Sequence, residues 1–272
     1  MFVAFLTSTK NVESDSVSTE STQTSQTANT ETSASESAPA VADLPSVVVS
    51  GLPQSEEGDV PSVEEAPATS AVSFSGSAVP ASDAKDLSYL DDAVFLGDSI
   101  TEGMDFHNKS NANVVAYKGL TTVGAVGQPL EKYGNRTAVQ VVTDEHPGKI
   151  YIMFGSNEIA GINLDTFKSR YATLVDTLRE KNPNAIIFLQ TIPPVTEKYS
   201  GEGHYLNNPL INDANQKVVE LAQEKGIYLL DVHGALADGT GALPSEASPV
   251  DGVHFGGATF EKWFNYILTH TV

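Results

Sequence analysis

Cysteine is absent from the 272-residue sequence. Its absence excludes disulfide bonds, a thiol nucleophile and a cysteine-linked lipid anchor within this chain, and it disfavours a structural zinc site. Lys and Arg are scarce, 15 residues against 35 Asp and Glu, so the net charge is −20 at pH 7. No basic run interrupts this acidic excess. We therefore expect neither nucleic acid nor an anionic membrane surface as a partner.

Aromatic residues are missing between Phe5 and Phe74, and 17 of the 32 residues from 7 to 38 are Ser or Thr. The chain then continues with Pro, Ala, Ser and acidic clusters. This composition cannot bury enough apolar surface to offset the conformational entropy lost on folding. The sequence therefore predicts a disordered spacer over residues 7–86, which its own negative charge keeps extended.

The first six residues, MFVAFL, form an apolar run that is too short to span a bilayer and has no basic residues before it. A frayed hydrophobic terminus is one interpretation. The interpretation we prefer is that residues 1–6 are the remnant of a signal or anchor segment, because a long spacer has little use without an anchor. The protein is then expected outside the cytoplasm, secreted or tethered to the cell surface.

Residues 87–272 have the composition of a folded domain. Continuous apolar runs predict five strands covered on both faces, as in a parallel sheet. These runs are AVFLG (93–97), NVVAY (113–117), KIYIMFG (149–155), AIIFLQT (185–191) and GIYLLDV (226–232). Amphipathic patterns predict helices over 164–182, 211–226 and 257–270. This alternation indicates an open α/β sheet, in which a site lies at the carboxyl ends of the strands.

Polar blocks that could perform chemistry follow these strands. GDS ends with Ser99 after the first strand, GSNE contains Asn157 after the third, and DGVH joins Asp251 to His254 before the last helix. A serine hydroxyl needs a base to remove its proton, and imidazole suits this near neutral pH. A carboxylate can hold the imidazole in one tautomer, and an Asn amide can stabilise an oxyanion.

These three blocks resemble those of the SGNH (GDSL-like) hydrolase family, and the resemblance covers residues 87–272. It implies a three-layer α/β/α sandwich of the flavodoxin-like type, with a mostly parallel five-stranded sheet. It further implies that Ser99 is the nucleophile, His254 the base and Asp251 its orienting partner. The implied oxyanion hole consists of the Asn157 amide and the backbone N–H groups of Ser99 and Gly119. The family uses no metal and no organic cofactor.

Two positions depart from the family pattern. Glu158 replaces the Asp that usually follows the oxyanion Asn, and we expect little effect from this replacement. The second block, AYKGLTTVGA, offers Gly119 but not the fuller Asn-x-Gly-x-x-Gly pattern. A backbone N–H between Leu120 and Thr122 is the alternative donor.

Other residues receive structural interpretations. Asp98 is expected to cap the turn before Ser99, and Trp263 is expected in the core. His233 follows a strand near the expected site, but a structural role is favoured. The six histidines share no metal-ligand spacing. The G-x-S-x-G elbow of the ordinary α/β-hydrolases is also absent.

The sequence thus predicts a monomeric serine esterase that hydrolyses short acyl esters. The expected substrate is an O-acetyl group on a cell-wall or dietary polysaccharide, because a tethered domain suits a polymer outside the cell. Three alternatives stay open: a lysophospholipase or other lipid esterase, a sugar O-acyltransferase, and an inactive carbohydrate-binding surface domain.

Overall fold

The computed structural model of the protein describes Phe74 and residues 77–272. The predicted signal remnant and most of the predicted spacer lie outside the described residues. Five strands form one parallel sheet in the order β2-β1-β3-β4-β5. They are β1 Ala93–Gly97, β2 Asn113–Ala116, β3 Lys149–Met153, β4 Ile186–Gln190 and β5 Tyr228–Leu230. Each strand lies within a run predicted from the sequence, and the α/β fold class is confirmed.

Helices connect the strands throughout the described region. They are α1 Ser99–Asp105, α2 Thr122–Gly127, α3 Ala138–Asp144, α4 Leu164–Lys181, α5 Glu197–Gly201, α6 Asn208–Lys225, α7 Val232–Leu236 and α8 Gly257–Leu268. The three predicted helices correspond to α4, α6 and α8. Helix α6 begins three residues earlier than predicted, because Asn207 caps it and Pro209 occupies its first turn. Gly226 ends it with φ 59°, as expected.

The helices cover both faces of the sheet and create two apolar layers. Alternate residues of a strand point to opposite faces. Val94 and Leu96 of β1 accordingly pack with α2, α3, α4 and α6, whereas Phe95 packs with α1, α7 and α8. Trp263 of α8 is fully buried in the second layer and donates to Gln190 Oε1 at 2.8 Å. Its predicted core position is confirmed.

The segment before Leu87 differs from the expectation of a free spacer. Phe74 is 5% exposed, the Val79 N–H donates to Leu229 O at 2.8 Å, and the Lys85 N–H donates to Leu268 O at 2.9 Å. Leu229 belongs to β5, an edge strand with backbone groups available for pairing. Residues 77–86, which the sequence analysis assigned to the spacer, therefore contact the domain. Phe74 and Val79 are the buried apolar residues of this Ser- and Pro-rich run, and two such residues are too weak a signal to predict contact with the domain.

Candidate active site

Ser99 occupies a sharply defined position at the carboxyl end of β1. The strand ends at Gly97, Asp98 caps α1 by accepting from the Ile100 N–H at 3.0 Å, and Ser99 is the first helical residue. A side chain at Gly97 would meet Thr101 and lie 2.6 Å from Met153 O, so only glycine fits there. This confirms the capping role predicted for Asp98.

His254 and Asp251 form a hydrogen-bonded line with Ser99. Ser99 Oγ lies 3.0 Å from His254 Nε2, and His254 Nδ1 lies 2.7 Å from Asp251 Oδ2. The second oxygen, Asp251 Oδ1, accepts from the backbone N–H groups of Val253 and His254 at 2.9 and 2.8 Å. Hydrogen bonds within the tight loop thus fix both oxygens of the Asp251 carboxylate. The His254 imidazole is placed to accept a proton from the serine hydroxyl.

The surroundings of Asp251 keep it ionised. Partial burial raises its pKa, but the hydrogen bonds from the His254 ring and from the two N–H groups outweigh burial and hold the pKa at about 2. Ser248, which the sequence analysis missed, donates to His254 O at 2.7 Å and lies 3.3 Å from Asp251 Oδ1. Its position three residues before Asp251 was the available signal, since Ser often bonds to nearby backbone in turns.

The loop after β3 brings Asn157 to the same edge. Gly155 has φ 144°, and a side chain there would meet Ile192, so the loop depends on glycine. Ser156 Oγ donates to Asp98 Oδ2 at 2.5 Å, which ties this loop to the Ser99 turn. Asn157 is exposed, and its Nδ2 donates to Leu120 O at 3.4 Å, a long hydrogen bond that leaves the amide available to another acceptor.

Gly119 lies in the turn after β2. It has φ 76°, and Leu120 N–H closes the turn by donating to Tyr117 O at 3.0 Å. Within residues 77–272, the N–H groups of Gly119 and Thr121 have no hydrogen-bond partner, whereas that of Thr122 donates to Glu158 at 2.8 Å. Of the backbone N–H groups in this turn, those of Leu120 and Thr122 therefore already donate hydrogen bonds.

Glu158 anchors the loop that carries Asn157 to the start of α2. It is 6% exposed, and its second oxygen accepts from Thr122 Oγ1 at 2.9 Å. Burial raises its pKa, against the hydrogen bonds from Thr122 that lower it. Burial also raises the pKa of the fully buried Asp98 to about 6, against the hydrogen bonds from Ser156 and the Ile100 N–H. Both carboxyls thus serve as internal ties between loops.

Four of the five predicted site residues line one cleft of about 150 Å³, which we call the catalytic cleft. Its lining is Ser99, Ser156, Asn157, Tyr199, Tyr205, Leu206, Asp251, Val253 and His254. Gly119 is not part of this lining. Tyr199 and Tyr205 were missed because they come from α5 and the loop after it, which carry no periodic or motif signal. Part of the site is open to water, since the His254 side chain is 51% exposed.

Three further observations concern His233, metal binding and the helices. His233 is fully buried in α7, where its ring packs edge-on against Phe74 at 5.7 Å, and it does not line the catalytic cleft. No group of three or more His, Cys, Asp or Glu side chains in the described part of the chain is placed to hold a metal ion. None of the helices described is both long and apolar enough to cross a membrane.

Comparison with known proteins identifies the class. The family model of the GDSL-like lipases/acylhydrolases matches residues 95–261, more than half of the chain. The chain therefore belongs to the GDSL-like lipase/acylhydrolase family, and it is an ester hydrolase. No curated protein sequence matches it.

The chain is similar to several solved structures, and the first of those described next shares its fold. One from Streptococcus pneumonia, provisionally described as a platelet activating factor, is 20% identical with a TM-score of 0.51, covering 66% of this chain and 86% of that one. A lipase/acylhydrolase from Enterococcus faecalis is 18% identical (TM-score 0.46, covering 65% and 92%). A mutant of Axe2, an acetyl-xylooligosaccharide esterase from Geobacillus Stearmophilus, is 17% identical (TM-score 0.47, covering 71% and 95%).

Proposed function

We propose that this protein is a serine esterase that removes short acyl groups, in particular O-acetyl groups, from carbohydrate through a covalent acyl-enzyme. The observation that carries the proposal is the line from Ser99 Oγ to His254 Nε2 to Asp251 Oδ2, with distances of 3.0 and 2.7 Å. A nucleophile, a base and an orienting carboxylate in hydrogen-bond reach are what acyl transfer through serine requires.

In the first half-reaction, Ser99 Oγ bonds to the ester carbonyl carbon while its proton passes to His254 Nε2. Asp251 stays ionised and holds the Nδ1–H, so it stabilises the imidazolium that forms. The carbonyl oxygen becomes an oxyanion. Its donors are the Asn157 amide, the Ser99 N–H and an N–H of the Gly119 turn, where Gly119 is the predicted donor and Thr121 also has its N–H free.

Collapse of the tetrahedral intermediate breaks the bond to the alcohol oxygen, which takes the proton from His254 Nε2. The acyl group is then an ester of Ser99. In the second half-reaction, a water molecule gives a proton to His254 Nε2, and the water oxygen attacks the acyl carbonyl carbon. The carboxylic acid leaves, and the proton returns to Ser99 Oγ. The groups of this chain suffice for every proton transfer in the cycle.

The size of the catalytic cleft supports a short acyl group. Its volume of about 150 Å³ is half the lower end of the range of roughly 300–1,000 Å³ found for pockets of drug-sized ligands. Leu206 and Val253 supply apolar walls for a methyl or ethyl group. A long fatty chain would have to extend beyond this cleft, which favours an acetyl ester over a lysophospholipid.

We further propose an extracytoplasmic location. Support comes from composition alone, since the Ser- and Thr-rich acidic stretch before the domain suits a tether outside the cell. Separation of cell contents, envelope and medium followed by immunodetection tests this. Protein found only in the soluble cell contents would contradict it.

The test of the proposed function is hydrolysis of p-nitrophenyl esters of two, four, eight and twelve carbons. The two-carbon ester should have the highest kcat/KM, and Ser99→Ala should lower kcat by about 10³-fold or more, because members of a catalytic unit act together. Ser88→Ala, at an exposed serine outside the cleft, is the matched control and should keep full activity. A preference for twelve carbons would overturn the short-acyl assignment. Full activity of Ser99→Ala would overturn the mechanism.

A further inference from the structure

A second cleft of about 320 Å³ borders the catalytic cleft, and we call it the outer cleft. The lining residues that matter for its chemistry are Lys198, Tyr199, Glu202, Ser245, Ser248 and Asp251. Tyr199 and Asp251 line both clefts. When the acyl group of a substrate lies beside Ser99, the alcohol part of that substrate can therefore extend past Tyr199 and Asp251 into the outer cleft.

The two walls of the outer cleft are fixed to each other. One wall consists of Thr196 and α5, and the other is the loop of residues 244–252. The Thr196 N–H donates to Gly252 O at 2.9 Å, and the Leu243 N–H donates to Val195 O at 3.0 Å. A side chain on Gly252 would lie 2.6 Å from Thr196 Oγ1, so the walls touch there. The cleft is thus formed before any ligand binds, as most ligand sites are.

The lining of the outer cleft is polar and carries both signs of charge. Lys198 Nζ and Glu202 Oε1 lie 3.9 Å apart, with side chains 84% and 49% exposed. An exposed pair at this distance holds together by about 1 kcal/mol or less. The other Glu202 oxygen, Oε2, lies 3.2 Å from His204 Nε2, so Lys198 Nζ and Glu202 Oε1 are the atoms that can turn to a ligand. Ser245 is exposed and adds a hydroxyl that can donate and accept.

We propose that the outer cleft is a sugar-binding subsite for the alcohol part of the ester, which it holds while the acyl group lies at Ser99. This rests on the proposed function above. Sugar hydroxyls both donate and accept hydrogen bonds, and they match an ammonium, a carboxylate and a hydroxyl around one space. An alkyl chain would instead strip water from Lys198 and Glu202 without replacing their hydrogen bonds, which is costly.

The dimensions of the outer cleft and the adjoining surface agree with a sugar. Its volume is about twice that of the catalytic cleft and falls at the lower end of the range for ligand pockets, roughly 300 Å³. Tyr205, at the rim of the catalytic cleft, is 68% exposed. Its ring offers an apolar face with a polar tip, a combination that suits the mixed surface of a sugar ring.

The kinetic test compares partially acetylated xylotriose with p-nitrophenyl acetate, which has no sugar. Ser245→Trp fills the outer cleft and Lys198→Met removes its ammonium. The ratio of kcat/KM on the sugar ester to that on p-nitrophenyl acetate should fall in both variants, mainly through KM. In Ser245→Trp the fall should be about tenfold or more, which corresponds to the loss of a hydrogen bond or two. Ser169→Trp and Lys181→Met, at exposed positions of α4, are the matched controls and should keep the wild-type ratio. A ratio unchanged in Ser245→Trp would overturn the proposal.

A binding measurement separates this proposal from the proposed function. Titration calorimetry of unacetylated xylotriose and cellotriose with the full chain needs no hydrolysis. Binding by the wild type that Ser245→Trp abolishes and Ser169→Trp retains would support the subsite, even if Ser99→Ala proved fully active and the mechanism failed. Equal binding by Ser245→Trp, or no binding of either sugar by the wild type, would overturn the subsite while leaving a Ser99-dependent esterase intact.

Discussion

Asp98 is a buried carboxyl whose ionisation opposes folding, and its replacement by Asn should change how stability depends on pH. Burial raises its pKa from 3.8 to about 6. Between these values the unfolded chain has lost the proton and the folded chain still holds it. The free energy of unfolding therefore falls as pH rises through this window, and the shift of about 2 units corresponds to about 3 kcal/mol.

Asp98→Asn removes the titration and keeps the shape. Its Oδ1 can still accept from the Ile100 N–H, and its amide can donate to Ser156 Oγ. The free energy of unfolding of the variant minus that of the wild type should thus rise by about 2.5 kcal/mol between pH 4 and pH 7.5, because pH 4 already lies just above the unfolded pKa of 3.8. Urea unfolding at several pH values, followed by the fluorescence of the single, buried Trp263, measures this difference.

Ser156→Ala provides the matched test. It removes the hydrogen bond that lowers the pKa of Asp98, so it should cost more stability at pH 7.5 than at pH 4. In the Asp98→Asn background, its cost should not depend on pH. A difference between Asp98→Asn and wild type that stays constant, or falls, from pH 4 to pH 7.5 would refute the reasoning, because hydrogen bonding would then outweigh burial.

Three further predictions concern other parts of the site and core. Asn157→Ala should lower kcat on p-nitrophenyl acetate about 10²-fold with little change in KM, and an unaltered kcat would remove Asn157 from the oxyanion hole. Gly155→Ala should cost about 3 kcal/mol in urea unfolding, because φ is 144° and the new methyl meets Ile192; a cost near zero would contradict this. Burial lowers the pKa of His233 to about 4, so the contribution of this residue to stability is lost as pH falls from 6.5 toward 4. The free energy of unfolding of His233→Leu minus that of the wild type should therefore rise over this fall in pH, and a constant difference would speak against it.

The sequence predicted the parallel sheet well because buried strands are continuous apolar runs. It predicted α4 from Phe167, Tyr171, Leu174 and Leu178, all of which are buried. Short helices such as α2 and α5 have too few turns for an apolar period to emerge. The attachment of Val79 also escaped prediction, because its N–H donates to Leu229 O at the edge of β5, a contact that local composition does not reveal.

For the site, the sequence supplied the residues that short-range spacing and strand ends bring together. Asp251 and His254 share one tight loop, and Ser99 follows a strand directly. The walls formed by Tyr199 and Tyr205 were out of reach, since only tertiary packing brings them beside Ser99. Gly119 was only partly predictable. The sequence identified the glycine of the turn, but which N–H groups of the turn remain available depends on the hydrogen bonds that Leu120 and Thr122 make.

The central claim is that Ser99 becomes covalently acylated with His254 as its base. The most direct measurement is labelling with a fluorophosphonate, an analogue of the acylation transition state, followed by intact-mass and peptide mass spectrometry. The account predicts one adduct per chain, located on Ser99, with labelling slowed about 10³-fold or more in His254→Ala. Hydrolysis of p-nitrophenyl acetate by a protein that carries no adduct, or an adduct on another residue, would contradict it.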